Sequence, residues 1–176
     1  MVRVLRNIVM LVGVLLATTG CFKKVTTDTT LQIKVLSETV SGGKSLPADG
    51  CYGYIYYVNK DWTVASYEDA AAKTITNSLT NEKLSEPDGE SGEYVMEESE
   101  NNYLSIFQDK RQALVVVVYP AAQMYAYIHR KTEAENLSPT YLTLIFHEWK
   151  PAGPYYEGTK EGYRWTVVAP EKRTNE

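Results

Sequence analysis

Between Ala113 and Tyr119 the chain reads A-L-V-V-V-V-Y, and Pro120 follows. Ala113, Val115 and Val117 alternate with Leu114, Val116 and Val118, so both faces of an extended segment are apolar. Such a strand must be covered on both sides, which predicts the central strand of a packed sheet. Pro120 has no N–H to offer a ladder, so the strand ends there and the chain turns. Gln123 to His129 then alternates, with Met124, Ala126 and Ile128 inward and Tyr125, Tyr127 and His129 on the opposite face. Together the two segments predict a hairpin at the middle of an all-β domain.

Upstream, Leu31, Ile33 and Val35 alternate with Gln32 and Lys34, the pattern of a half-buried strand. Turn signals at Ser41-Gly42-Gly43 and Leu46-Pro47-Ala48-Asp49-Gly50 lead to Cys51–Val58. There Tyr52, Tyr54, Tyr56 and Val58 share one face, and Gly53 leaves room for a neighbouring chain to approach. Ser66 opens the one expected helix, with Glu68 and Asp69 where the dipole favours negative charge and Ala70 to Lys73 continuing it for about two turns. Its expected place is over an open end of the domain. Thr74-Ile75-Thr76 is extended, and Asn77 to Lys83 reads as a hairpin corner. Glu86 to Glu100 is the least core-like stretch. Further strands are expected at Tyr103–Phe107, Tyr141–Trp149 and Tyr163–Val168, with a charged loop at 130–138, a break at Pro151-Ala152-Gly153-Pro154 and a polar tail at 171–176. Seven to nine strands with one short helix predict a single antiparallel β-sandwich over residues 31–170.

Residues 1–20 stand outside that pattern. Arg3 and Arg6 precede a short apolar run, Ile8 to Ala17, and then comes Ala17-Thr18-Thr19-Gly20-Cys21. The run is too short to span a bilayer. The junction resembles the lipobox of bacterial lipoproteins, with Thr18 where that family usually has Leu, as in the relaxed lipoboxes of Bacteroides-type lipoproteins. The resemblance implies a diacylated Cys21 as mature N-terminus, residues 21–30 as tether, and a membrane partner. The other reading is an ordinary secretory signal with an incidental cysteine. Lys23 and Lys24 follow the cysteine directly, where surface-exported lipoproteins of this type tend to be acidic. The expected location is therefore the outer membrane, facing the periplasm. Asp28-Thr29-Thr30 resembles the short O-glycosylation motif of the same bacteria.

Removing residues 1–20 deletes two arginines and no acid, so the net charge moves from −4 to −6. A chain this acidic is not expected to bind nucleic acid. With Cys21 acylated, Cys51 is the only thiol left. An intrachain disulfide is then impossible, and Cys51 is either a small buried residue or a reactive one.

Strand, Gly-containing loop with a Leu-Pro-Ala insert, then aromatic strand over residues 31–58 resembles the opening of prealbumin-like and carboxypeptidase-regulatory-like sandwiches. Ig-like sandwiches share the general pattern. Those families imply spacer, adhesion or transport roles, and they carry no shared catalytic residues.

Four constellations are candidate sites. Asp88-Gly89-Glu90 with Glu93 offers hard oxygen ligands for calcium, against a simply solvated acidic loop. His129 and His147 would share one sheet face, beside Tyr125 and Tyr127, if their strands pair, giving a metal or haem site. Tyr125, Tyr127, Trp149 and Trp165 would form an aromatic platform for a glycan, against a place in a second core layer. Glu97 and Glu98 are adjacent and would point to opposite faces of a strand, so they are not a catalytic pair. With no Gly-x-Ser-x-Gly, no paired Cys and His, and no phosphate-cradling loop, the sequence predicts no enzyme and no cofactor. The expectation is a lipid-anchored, non-enzymatic envelope module with an accessory or structural role. Its partner would be an envelope protein or, in the alternative, a glycan.

Overall fold

The segment A-L-V-V-V-V-Y is covered on both faces. A computed structural model describes residues 29–96, 102–131, 140–149, 159–160 and 163–168, with backbone alone for 29, 140, 159–160 and 163–168. Cys21, Lys23, Lys24, Asp28, Glu97, Glu98, the Pro151–Pro154 break and the 171–176 tail lie outside the described residues.

The fold is an all-β sandwich with, among the described residues, one α-helix and one 3-10 turn at Pro120–Ala122. The chain runs β1 (Thr29–Glu38), β2 (Leu46–Pro47), β3 (Tyr52–Tyr56), β4 (Trp62–Thr63), α1 (Tyr67–Ala71), β5 (Ile75–Asn77), β6 (Lys83–Leu84) and β7 (Gly89–Glu90). It continues through β8 (Leu104–Gln108), β9 (Gln112–Tyr119), β10 (Met124–Lys131), β11 (Thr140–His147), β12 (Thr159–Lys160) and β13 (Tyr163–Val168). One sheet has the order β12-β13-β11-β1, with β2 and β8 sharing the other edge of β1. The second sheet is β10-β9-β3-β7, and a small third sheet is β4-β5-β6. All strand pairs are antiparallel except β1 and β11, which run parallel from Leu31 opposite Thr140 to Glu38 opposite His147. β1 starts at Thr29, so Thr29 and Thr30, expected in the tether, are strand.

Two apolar layers result. Between the first two sheets, Leu31, Ile33, Val35, Leu142, Leu144 and Phe146 meet Ile55, Val115, Val117, Ala126 and Ile128, all fully or nearly fully buried. Each Å² of apolar surface removed from water here stabilises the fold by roughly 25 cal/mol. On the other face of β9, Leu114, Val116 and Val118 join Tyr54, Tyr56, Tyr125 and Tyr127. Trp62, Val64, Ala70 and Ile75, from the β4–α1–β5 segment, close that layer. α1 therefore roofs the outer face of the second sheet and does not plug an open end. A run apolar on both faces needs this second cover, and the segment 62–75 supplies it.

α1 is shorter than its three alanines suggest. Ser66 Oγ accepts from Asp69 N at 3.1 Å, the expected N-cap. The helix stops at Ala71 because Lys73 adopts a left-handed conformation, φ 55°, and Thr74 N bonds back to Asp69 O at 2.7 Å. The Tyr56 hydroxyl then donates to Lys73 O at 2.6 Å, fixing that turn to the sheet.

Gly53 has the close neighbours expected of it. A Cβ there would lie 3.0 Å from Ile106 Cδ1, Leu104 Cδ2 and Val116 O, because β8 crosses directly over it. The acidic stretch is more structured than its charges suggest. From Asp88 to Tyr94 it is laid along the free edge of β3, through Asp88 N to Ile55 O (2.9 Å), Ser91 N to Gly53 O (2.9 Å) and Tyr94 N to Cys51 O (2.7 Å). Tyr94 itself is buried in the first apolar layer. Among the described residues, no helix is long and apolar enough to cross a membrane.

Candidate functional site

The aromatic residues singled out by pattern divide between core and surface. Tyr125 and Tyr127 are 4% and 3% exposed, inside the layer under α1, so they form core and not a platform. Trp149 follows β11 and is 37% exposed. Trp165 lies in β13, in register opposite Leu144. The four residues are not brought together on one open face.

The two histidines are also separated, because β10 pairs with β9 in the second sheet whereas β11 pairs with β1 and β13 in the first. A joint His129–His147 metal or haem site is therefore corrected. His129 is half-buried beside Tyr127, with ring centroids 6.0 Å apart. Burial, and then the Lys60 charge, push its pKa below the ordinary 6.5, against smaller opposing effects from the Trp62 backbone and Asp61. The unfolded chain then takes up this proton first as pH falls, so stability drops as pH falls through 6.5 and levels off below the folded-state value. Urea denaturation of the wild type at pH 7.5 and 5.5 is expected to show that loss, and His129→Gln to reduce it. Equal pH dependence in the two proteins would contradict this assignment.

Asp88 and Glu90 are committed to the fold. The Asp88 carboxylate accepts from Tyr57 N at 2.8 Å, and Glu90 pairs with Lys73. Burial first, then Asp88, Glu86 and Glu90, push the Tyr56 phenol up to about 12. Among the described residues, no group of three or more His, Cys, Asp or Glu side chains is placed to hold a metal ion. Cys51 is fully buried, and burial followed by the Asp49 charge raises its thiol pKa far above the reactive range. It is a core residue.

Among the described residues, one polar cluster joins the ends of two strands far apart in sequence and was not legible as a motif. It gathers at the end of the sandwich where β1 and β11 finish. Parallel register puts Glu38 opposite His147, and His147 Nδ1 lies 2.9 Å from Glu38 Oε2. Ser45, from the turn before β2, donates to Glu38 Oε1 at 3.0 Å. Glu148 N bonds Glu38 O at 2.9 Å, and the Ser37 hydroxyl donates to the Glu148 carboxylate. Burial and the Glu148 charge raise the Tyr119 phenol nearby. The Trp149 ring stands 5.4 Å from the His147 ring.

The order of contacts decides what this cluster can do. In a nucleophilic triad the imidazole sits between hydroxyl and carboxylate, where it can take the hydroxyl proton. Here the Glu38 carboxylate, not the His147 ring, contacts Ser45, so the three side chains do not stand in the order of a Ser–His–acid relay. The arrangement is a hydrogen-bonding patch with an exposed indole at its rim. Separation of 109 residues between Glu38 and His147 hid it from local pattern.

No protein-family model matches this chain, and no curated protein or solved structure does either.

Proposed function

We propose that this chain is a lipid-anchored, non-enzymatic β-sandwich module of a bacterial envelope, with an accessory or structural role. The observation that carries this reading is Cys21 directly after Gly20, behind a basic and then apolar leader, with the folded domain beginning only eight residues later at Thr29. Acyl chains, at about 0.8 kcal/mol per buried CH₂, would hold such a domain at the membrane without any spanning segment. Lys23 and Lys24 support a periplasmic orientation on the outer membrane.

Replacing Cys21 with serine in the full chain is the test. Wild type is expected in the membrane fraction, and Cys21→Ser is expected to lose that association. A wild-type chain recovered in the soluble fraction after signal removal would overturn the proposal.

A second reading is favoured by the exposed Trp149 ring beside Glu38 and His147. An indole face stacks on sugar C–H groups while a carboxylate accepts sugar hydroxyl hydrogens, so a glycan-binding lipoprotein would use this end of the sandwich. Tyr125 and Tyr127 would not take part.

A further inference from the structure

The two large sheets differ in what covers their outer faces. Over the second, Trp62, Val64, Ala70 and Ile75 form a roof. On the first, Thr30, Gln32 and Lys34 of β1 are half-buried and alternate with the fully buried Leu31, Ile33 and Val35. Register fixes their neighbours. Phe107 stands opposite Thr30 and Ser105 opposite Gln32, while on the other side of β1 Tyr141 stands opposite Gln32 and Thr143 opposite Lys34. Residues paired across strands share a face, so all of these point away from the core, in keeping with the burial alternation of β8. Phe107 is 76% exposed. Tyr103, just before β8, brings its ring to 5.4 Å from that of Tyr141, edge to face, with β1 between their strands. Two strand spacings, about 10 Å, separate β8 from β11. The result is a broad, flat face on which aromatic and polar side chains are mixed.

The polar groups of this face are not used by the fold. Among the described residues, no intramolecular hydrogen bond or ion pair engages the side chains of Gln32, Lys34, Ser105 and Thr143 or the hydroxyls of Tyr103 and Tyr141. By contrast, the carboxylates of Glu38, Asp88 and Glu90 are each held by a partner. In the rows from Thr30 to Lys34, Lys34 is the one charged residue among the described positions. Its neighbours across β8 and β11 are neutral, and so are Thr166 and Val168 in register on β13.

We infer that this face binds an extended acidic glycan, a β-1,4-linked chain of uronic acid sugars. The inference rests on the glycan-binding reading above and adds to it a different location and the charge of the sugar. Pyranose rings with equatorial substituents present C–H faces, which stack on Phe107 and on the open parts of Tyr103 and Tyr141. Gln32, Ser105 and Thr143 exchange hydrogen bonds with sugar hydroxyls. The Lys34 ammonium pairs with a uronate carboxylate. An acyl chain or an apolar protein surface would bury these polar groups without partners, at a cost for each, so the mixture selects a polyhydroxylated occupant. The protein is acidic overall, but repulsion of a polyanion is screened beyond about 8 Å at physiological salt, so the contact at Lys34 decides the preference.

Calorimetric titration of the full chain in detergent micelles tests this with two ligands, a β-1,4-linked mannuronate hexamer and β-1,4-linked mannohexaose. The two sugars differ only in the carboxylate. Wild type is expected to bind the mannuronate hexamer several-fold more tightly than mannohexaose. Lys34→Gln is expected to remove that preference and leave mannohexaose binding unchanged. Phe107→Ser, at an exposed position that leaves the core intact, is expected to weaken both ligands several-fold, and Tyr141→Ala to do the same. Equal affinity of wild type for the two hexamers would overturn the inference. Binding lost in Trp149→Ala but kept in Phe107→Ser and Lys34→Gln would place the glycan at the other end, overturning this face while the earlier glycan reading stands. Failure of the wild type to bind either hexamer would overturn this inference alone, because the Trp149 end carries no requirement for a uronate.

Discussion

Tyr127→Ala is expected to destabilise the folded chain by about 3–5 kcal/mol, the cost of truncating a large core aromatic. The ring is 3% exposed and packed in the layer formed by Tyr54, Leu114, Val116 and the roof over them. Its loss leaves a void that β9 and β10, held in register over eight residue pairs, cannot collapse to fill. Trp149→Ala, at a more exposed position beside the His147 ring, is expected to cost less, about 1 kcal/mol. Urea midpoints of the two variants therefore separate core from surface. An unchanged midpoint for Tyr127→Ala would mean the β4–α1–β5 segment does not cover this face in solution, and would return Tyr127 to the list of platform residues.

Gly53→Val is the second large effect, expected near 3 kcal/mol. Two of the three atoms that a Cβ would meet at 3.0 Å are side-chain methyls on β8, and the third is the Val116 carbonyl oxygen on the central strand. The methyls can yield by small rotations, but the carbonyl belongs to a ladder pairing Gly53 with Val117 and its neighbours. The extra methyl groups of valine would then force β8 away from β3. Gly53→Ala meets only the Cβ contact, and its expected cost is smaller, about 1 kcal/mol. Thermal or urea denaturation of the two variants checks both size and order. Tolerance of valine would show that β8 does not cross at Gly53.

Much of the fold was legible where local pattern and tertiary role coincide. The two-faced run at Ala113–Tyr119 required two covers and has them. Alternation at Leu31, Ile33 and Val35 marks the half-buried strand β1, and Ser66 caps the helix it was expected to cap. Three features were hidden, each for a physical reason. The parallel register of β1 with β11 joins residues 109 apart, and no local signal encodes which distant strands meet. The Glu38–His147–Ser45 cluster is a consequence of that register, so it was equally hidden. The acidic stretch reads as loop because Asp88, Glu90 and Glu93 dominate its composition, whereas backbone bonds to β3 and one buried tyrosine, Tyr94, hold it in place. For the aromatic residues, alternation assigns Tyr125 and Tyr127 to one face of β10 but does not say whether another element covers that face.

The functional account depends most on what happens at Cys21. The direct measurement is mass spectrometry of the N-terminal peptide from the membrane-derived protein. A peptide beginning at Cys21 and carrying diacylglyceryl on its sulfur is the predicted result. A free Cys21 thiol, or a mature chain beginning at another residue, would contradict the lipid-anchored reading.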